Sequence, residues 1–283
     1  MLRRPPLALA RRIGLMMSSR PIPVGWPGGV VSFTFDDFPK SAFVTGGSII
    51  ERHGARATYY VSMRLAGTND ILGRMFDYQD ILAAHRAGHE IACHTHAHPN
   101  CHGATSSLIR AEVRENAAAI SSVMEGFIPT NFAYPYGSVS VRAKYVLGPR
   151  FSSCRGIGRG INHGTADLAD LLAINIYAAD FDEWEMRRLI DTTTAIGGWL
   201  IFYTHDVVET PSPYGCKASQ LETIVAYAAR RTTVLPVRNV ILGLIRDGRA
   251  TNSAAARFSF ALGKVRKRIN SKDVFRPRVV QRH

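Results

Sequence analysis

Residues 30–35, Val-Val-Ser-Phe-Thr-Phe, are apolar or β-branched at both odd and even positions, the pattern of a strand covered on both faces. Short runs of similar character recur at 57–61, 90–93, 131–133, near 151, at 171–177, 199–204 and 233–235. Between them lie segments with helical spacing of apolar residues. The first runs to His53 and stops at Gly54, and a second opens on Asp77 with Asp80 three residues on and closes at Gly88. Others cover 106–124, 139–147, 183 to the Gly197-Gly198 pair, 218–230 and 237–245. Some seven β-then-α units in succession predict an α/β fold, a distorted parallel (β/α) barrel of about seven strands related to the TIM barrel, rather than an open doubly wound sheet. The Pro- and Gly-rich stretch 21–29 reads as a linker, and no internal repeat is present.

At 283 residues and 46% hydrophobic content the chain can bury a large core. The net charge of +13 sits at the ends. Residues 1–20 hold five Arg and no acid, and residues 251–283 hold nine Lys or Arg against Asp273, so residues 21–250 are neutral. This divides the chain into a basic extension (1–25), the barrel (26–247) and a basic tail (248–283). A neutral body without a binding motif argues against nucleic acid as partner. In the tail, Phe258, Phe260, Leu262 and Val265 stand beside Lys264 and Arg266-Lys267-Arg268, a composition suited to peripheral contact with an anionic membrane. Apolar patches before Pro21 are too short and too interrupted for a secretory or spanning segment, so the expected location is cytoplasmic, at most peripheral at the inner face of the membrane. Cys93, Cys101, Cys154 and Cys216 lack zinc-ribbon spacing and read as reduced thiols. Oligomeric state is not encoded in any of these patterns.

Candidate chemistry gathers at predicted strand ends. His94 and His98, four residues apart, can point to one centre, and a nearby Asp would complete an open site for zinc or a similar divalent ion with room for water. Asp36, Asp37, His94, Tyr134 and His205 all follow predicted strands, where barrels of this kind build active sites. Each has a plainer reading in isolation. Asp36-Asp37 could cap a helix, Tyr134-Pro135-Tyr136-Gly137 could be only a turn, and Cys93 and Cys101 could join the histidines in a closed structural zinc site, although no C-x-x-C pair is present.

Taken together and in order, Thr34-Phe35-Asp36-Asp37, His94-Thr95-x-x-His98, Tyr134-Pro135-Tyr136-Gly137, Asp180-x-x-Glu183-Trp184 and Tyr203-Thr204-His205 resemble the motifs of the polysaccharide deacetylases. These are carbohydrate esterase family four, or the nodulation-protein-B homology domain, and the resemblance spans about residues 30–240. It implies Asp37, His94 and His98 as metal ligands, Asp36 as general base, the Tyr136 N–H as oxyanion donor and His205 as acid. Asp180 or Glu183 would orient His205, with Asp206 a further candidate, and Trp184 would be pocket wall or core. The implied activity is metal-dependent removal of acetyl from an N-acetylated sugar in a polysaccharide, oligosaccharide or glycolipid precursor. Alternatives are a relative that hydrolyses another non-peptide C–N bond, or a non-catalytic carbohydrate-binding relative. One departure matters: Ala133 stands where many members carry an Arg that holds the base, and Arg155 is the candidate replacement, reaching Asp36 from another loop.

Overall fold

The computed structural model describes Gly14 and residues 18–246. Within them seven parallel strands lie side by side in the order Ile174–Asn175, Trp199–Thr204, Val30–Asp36, Thr58–Val61, Glu90–Cys93, Asn131–Ala133 and Ser153–Arg155. The two ends of the row meet through one short segment. Leu171 bridges Arg155 in parallel, its N–H donating to the Cys154 carbonyl, and three residues later Ile174 pairs with Phe202. The row is thereby curled into a barrel, as the alternation of elements predicts.

The Val30–Asp36 strand is its spine. All seven residues are buried, and one edge pairs with Trp199–Thr204 along six positions. The opposite edge is shared, because Thr233–Val234 pairs with Val30 and Val31 whereas Thr58–Val61 takes over from Thr34. This split, with a late strand wedged in at the N-terminal end only, is what distorts the ring. Strands covered on both faces must satisfy any polar side chain internally. Accordingly Thr34 donates to the Phe202 carbonyl, and the Trp199 indole donates to Ser32, which donates to the Leu235 carbonyl.

Helices start and stop on the expected chemistry. Asp77 and Asp80 form a reciprocal capping box at the head of Tyr78–Arg86, Thr105 caps Ser106–Val123, and Asp182 caps Glu183–Ile196, which ends on Gly197 at φ +65°. Met186 and Ile190 of the last helix, with Leu221, Ile224, Val225 and Ala228 of Ala218–Arg231, pack on Val31, Phe33 and Phe35. Each large side chain buried in this way contributes about 1.5–3 kcal/mol.

Several sequence expectations need correcting. Residues 21–24 are not linker: Pro21–Val24 is a strand antiparallel to Gly164–Asp167, with Ile22 and Val24 in a core that includes Leu168, Trp199 and Val240. The prolines face outward and mask the alternation, a placement an edge strand tolerates. The folded body thus begins before residue 26. The predicted strand over 171–177 shrinks to Ile174–Asn175, and the segment before His53 opens as a π-helix, Ala42–Gly47, before Ser48–Arg52. A hairpin of Asn69–Asp70 and Gly73–Arg74 was not anticipated. The rest of the basic extension before residue 18 and residues 247–283, including the predicted membrane-contacting tail, lie outside the described residues. Among the described residues no helix is long and apolar enough to cross a membrane. The four cysteines are free and buried.

Candidate active site

Strand ends carry the site. Asp36 is the last residue of its strand and Asp37 the next, His94 follows Glu90–Cys93, Tyr134 follows Asn131–Ala133, and His205 follows Trp199–Thr204. Among the described residues, the non-glycine positions with positive φ are Asp37, Phe38, Thr95, His98 and Tyr136. All belong to these turns. Left-handed backbone at a residue with a Cβ is costly and persists where the surroundings enforce it. Here it bends the chain one to five residues past three of these strand ends, in the turns that carry Asp37 and His98.

His98 Nε2 lies 3.3 Å from Asp37 Oδ1 and 3.2 Å from His94 Nε2, and His94 Nε2 lies 3.8 Å from Asp37 Oδ1. The ligand atoms of these three residues all fall within 4.8 Å of one another. His94 is fixed through Nδ1, which donates to the Ala133 carbonyl at 2.8 Å; a carbonyl only accepts, so the proton sits on Nδ1 and the Nε2 lone pair faces Asp37. Burial pushes the His94 imidazole down to about 3 and depresses His98 as well. Asp37 is raised to about 7 by burial, opposed by His205 and reinforced by the Asp36 and Asp70 carboxylates. Its Oδ1 is buried without a hydrogen-bond donor. Two imidazole nitrogens and a carboxylate oxygen therefore converge, a donor set that fits a divalent cation, whose charge would favour the ionised form of Asp37.

The histidine loop is held from behind. Glu112 accepts from the N–H groups of His96 (2.9 Å) and Ala97 (2.7 Å), and Thr95 Oγ1 accepts from the His98 N–H at 3.1 Å. Sequence reasoning missed Glu112. Its signal was a carboxylate inside the apolar stripe of a helix, between Ile109 and Val113. Cys93 and Cys101 lie in a separate apolar cluster, so the closed structural zinc arrangement is not formed.

Asp36 makes a buried ion pair with Arg155. The guanidinium sits inside the barrel between the rings of Tyr60 and Tyr203, 5.1 and 4.9 Å from their centroids. Burial alone would raise Asp36, but Arg155, His94 and His205 outweigh it and hold the carboxyl below its usual range. Arg155 ends the Ser153–Arg155 strand rather than lying on a loop, and it is the register partner of Ala133. The position lacking an arginine and the one supplying it are thus cross-strand neighbours, and the premise of a non-catalytic relative, an unpartnered base, does not hold.

His205 Nε2 stands 3.9 Å from Asp37 Oδ2, across the site from the histidine pair. Its Nδ1 donates to the Tyr214 carbonyl at 3.2 Å. The expectation that Asp180 or Glu183 orients it is corrected here: Asp180 is exposed in a short turn and Glu183 pairs with Arg187 at 2.6 Å. Asp206 is engaged by Ser212. A backbone carbonyl does the work, and no side-chain pattern could announce it. The Tyr136 N–H makes no backbone hydrogen bond, and the Tyr136 ring packs edge-on to His98 at 4.6 Å. Gly137, at φ +58°, has Ile157 where a Cβ would go. Trp184 is not core, being 71% exposed.

Residues 25–148 match the family model for polysaccharide deacetylase. That segment belongs to the polysaccharide deacetylase family. Two proteins of Arthroderma benhamiae match this chain over 113 residues: one named "Probable peptidoglycan-N-acetylglucosamine deacetylase" at 29% identity and one named chitin deacetylase at 26%. Each match covers 40% of this chain but only 24% and 29% of those proteins. In fold, the chain is similar to the chitin deacetylase of the fungal pathogen Colletotrichum lindemuthianum, with a TM-score of 0.54 at 18% identity, over 77% of this chain and 89% of that one. The deacetylase-family segment contains Asp36, Asp37, His94, His98 and Tyr136, whereas Arg155 and His205 come from the part of the barrel beyond it.

Proposed function

We propose that this protein is a metal-dependent deacetylase that hydrolyses the N-acetyl group of an N-acetylated sugar in a polysaccharide, oligosaccharide or glycolipid precursor. The observation that carries this reading is the convergence of Asp37, His94 and His98, with the Arg155-held Asp36 beside it and His205 opposite. The names of the matched relatives support the substrate class.

A divalent cation held by Asp37, His94 and His98, with zinc well suited to mixed imidazole and carboxylate donors, would supply Lewis acidity at the reacting carbonyl. The chain's own groups divide the remaining work. Asp36, kept ionised by Arg155, accepts a proton from water as the water oxygen bonds to the acetyl carbon. The Tyr136 N–H donates to the carbonyl oxygen as negative charge builds on it. His205, fixed through Nδ1 by the Tyr214 carbonyl, presents Nε2 to the site and passes a proton from it to the departing nitrogen. The C–N bond then breaks, leaving acetate and a free amine on the sugar.

Acetate release from a panel of N-acetylated glycans tests the reading. Release should stop on chelation, return with added metal and be abolished in Asp36→Asn. A folded, metal-replete protein that frees no acetate from any of them would overturn it.

A further inference from the structure

Trp184 takes no part in the site above. It stands in the first turn of Glu183–Ile196 and lines a cavity of about 320 Å³ with Arg187, Arg188, Asp191 and Tyr227, the tyrosine coming from the neighbouring Ala218–Arg231 helix. The Arg188 guanidinium lies over the Trp184 ring at 5.3 Å, and that of Arg187 over Tyr227 at 5.0 Å.

The charges of this groove are unequally matched. Asp191 is taken up by Arg231 and the Tyr227 hydroxyl, both at 2.8 Å, and Glu183 is taken up by Arg187. Arg188 has no carboxylate partner among the described residues, and the Arg187 Nε–H is buried without an acceptor. The Trp184 indole, 71% exposed, offers apolar surface that a pyranose ring can cover, and the Arg188 guanidinium lying over it, without a carboxylate partner, is shaped to hold a carboxylate through two parallel hydrogen bonds. We infer that this groove binds a carboxylated glycan chain, one sugar ring stacked on Trp184 and its carboxylate held by Arg188. The chain's own basic tail has the wrong charge to occupy it. Trp184 lies in the first turn of this helix, which follows Ile174–Asn175, one of the parallel strands whose C-terminal ends carry the site. The inference rests on the deacetylase reading for the N-acetyl groups of that polymer, and on the groove alone for its carboxylates.

Affinity electrophoresis of the full chain through gels containing hyaluronan, which alternates N-acetylglucosamine with glucuronate, provides the test. Trp184→Ala, which leaves the net charge unchanged, should bind roughly tenfold more weakly, Arg188→Gln should lose about as much, and Trp184→Phe should keep most of the affinity. In gels with polyglutamate, a polyanion without sugar rings, wild type and Trp184→Ala should migrate alike, which separates the groove from the basic ends. Asp36→Asn should bind hyaluronan like wild type, so loss of turnover and loss of groove binding are read independently. Equal retardation of wild type and Trp184→Ala by hyaluronan, or no retardation of wild type, would overturn the inference.

Discussion

Ala133 and Arg155 are paired residues on adjacent parallel strands, and the arginine of this pair reaches across the barrel to Asp36. Deleting one member of a buried ion pair leaves the other charged and unpartnered, at a cost of about 3–5 kcal/mol. Arg155→Ala should therefore lower the melting temperature markedly and cut kcat, because burial then drives Asp36 toward its neutral form. Adding Ala133→Arg to Arg155→Ala returns a guanidinium from the next strand and should restore part of both. Thermal melting and acetate release, measured on the single and double variants, check this.

Asp37 should give the metal-free protein a distinctive pH response. Its folded pKa, about 7, lies above the unfolded value near 4, so its contribution to stability is fully present below about pH 4 and is lost as pH rises through about 7. His94 and His98 act oppositely: with depressed folded values, their contribution is present above about pH 6.5 and is lost as pH falls. The Asp37 share is isolated by comparison with Asp37→Asn. In chelator, the stability of wild type relative to this variant should decline between pH 4 and pH 8, and saturating zinc should reverse the decline.

Glu112 touches no proposed ligand atom, yet it anchors the loop between His94 and His98. Glu112→Ala should weaken metal binding about 10–100-fold, the usual effect of removing a group that orients a ligand. Metal titration of the chelator-stripped protein measures this directly.

His205→Gln should lower kcat by about 10²–10⁴. Asp180→Ala and Glu183→Gln should change it little, since neither side chain bonds His205. Tyr214→Phe should also be mild, because the carbonyl that fixes His205 belongs to the backbone. Steady-state kinetics on the four variants distinguish this arrangement from one in which a carboxylate orients the histidine.

The parallel barrel was legible because Val30–Asp36 and Trp199–Thr204 are buried on both faces and read as unbroken apolar runs. Pro21–Val24 was not, since its two prolines hide a two-residue alternation behind the composition of a linker. The same contrast holds at the site. Asp37, His94 and His98 announce themselves by residue type and spacing, and the structure brings them together. Arg155 could be picked out as a candidate, but its place opposite Ala133 follows from strand register, which no local window encodes. The carbonyls of Tyr214 and Ala133 that fix His205 and His94 are common to every residue type and leave no trace in a sequence.

The staves of this barrel are bound unequally. Six paired positions join Trp199–Thr204 to Val30–Asp36, but two join Trp199–Thr204 to Ile174–Asn175. The seam where the approach to that last strand meets Ser153–Arg155 holds a single bridge, Leu171–Arg155, beside the Cys154 and Gly156 N–H groups that donate to the Leu168 and Leu171 carbonyls. Arg155 stands at that thin seam with its head group across the lumen, so its grip on Asp36 is also a tie rod. Protonation of Asp36 would then silence the base and slacken the hoop in one event.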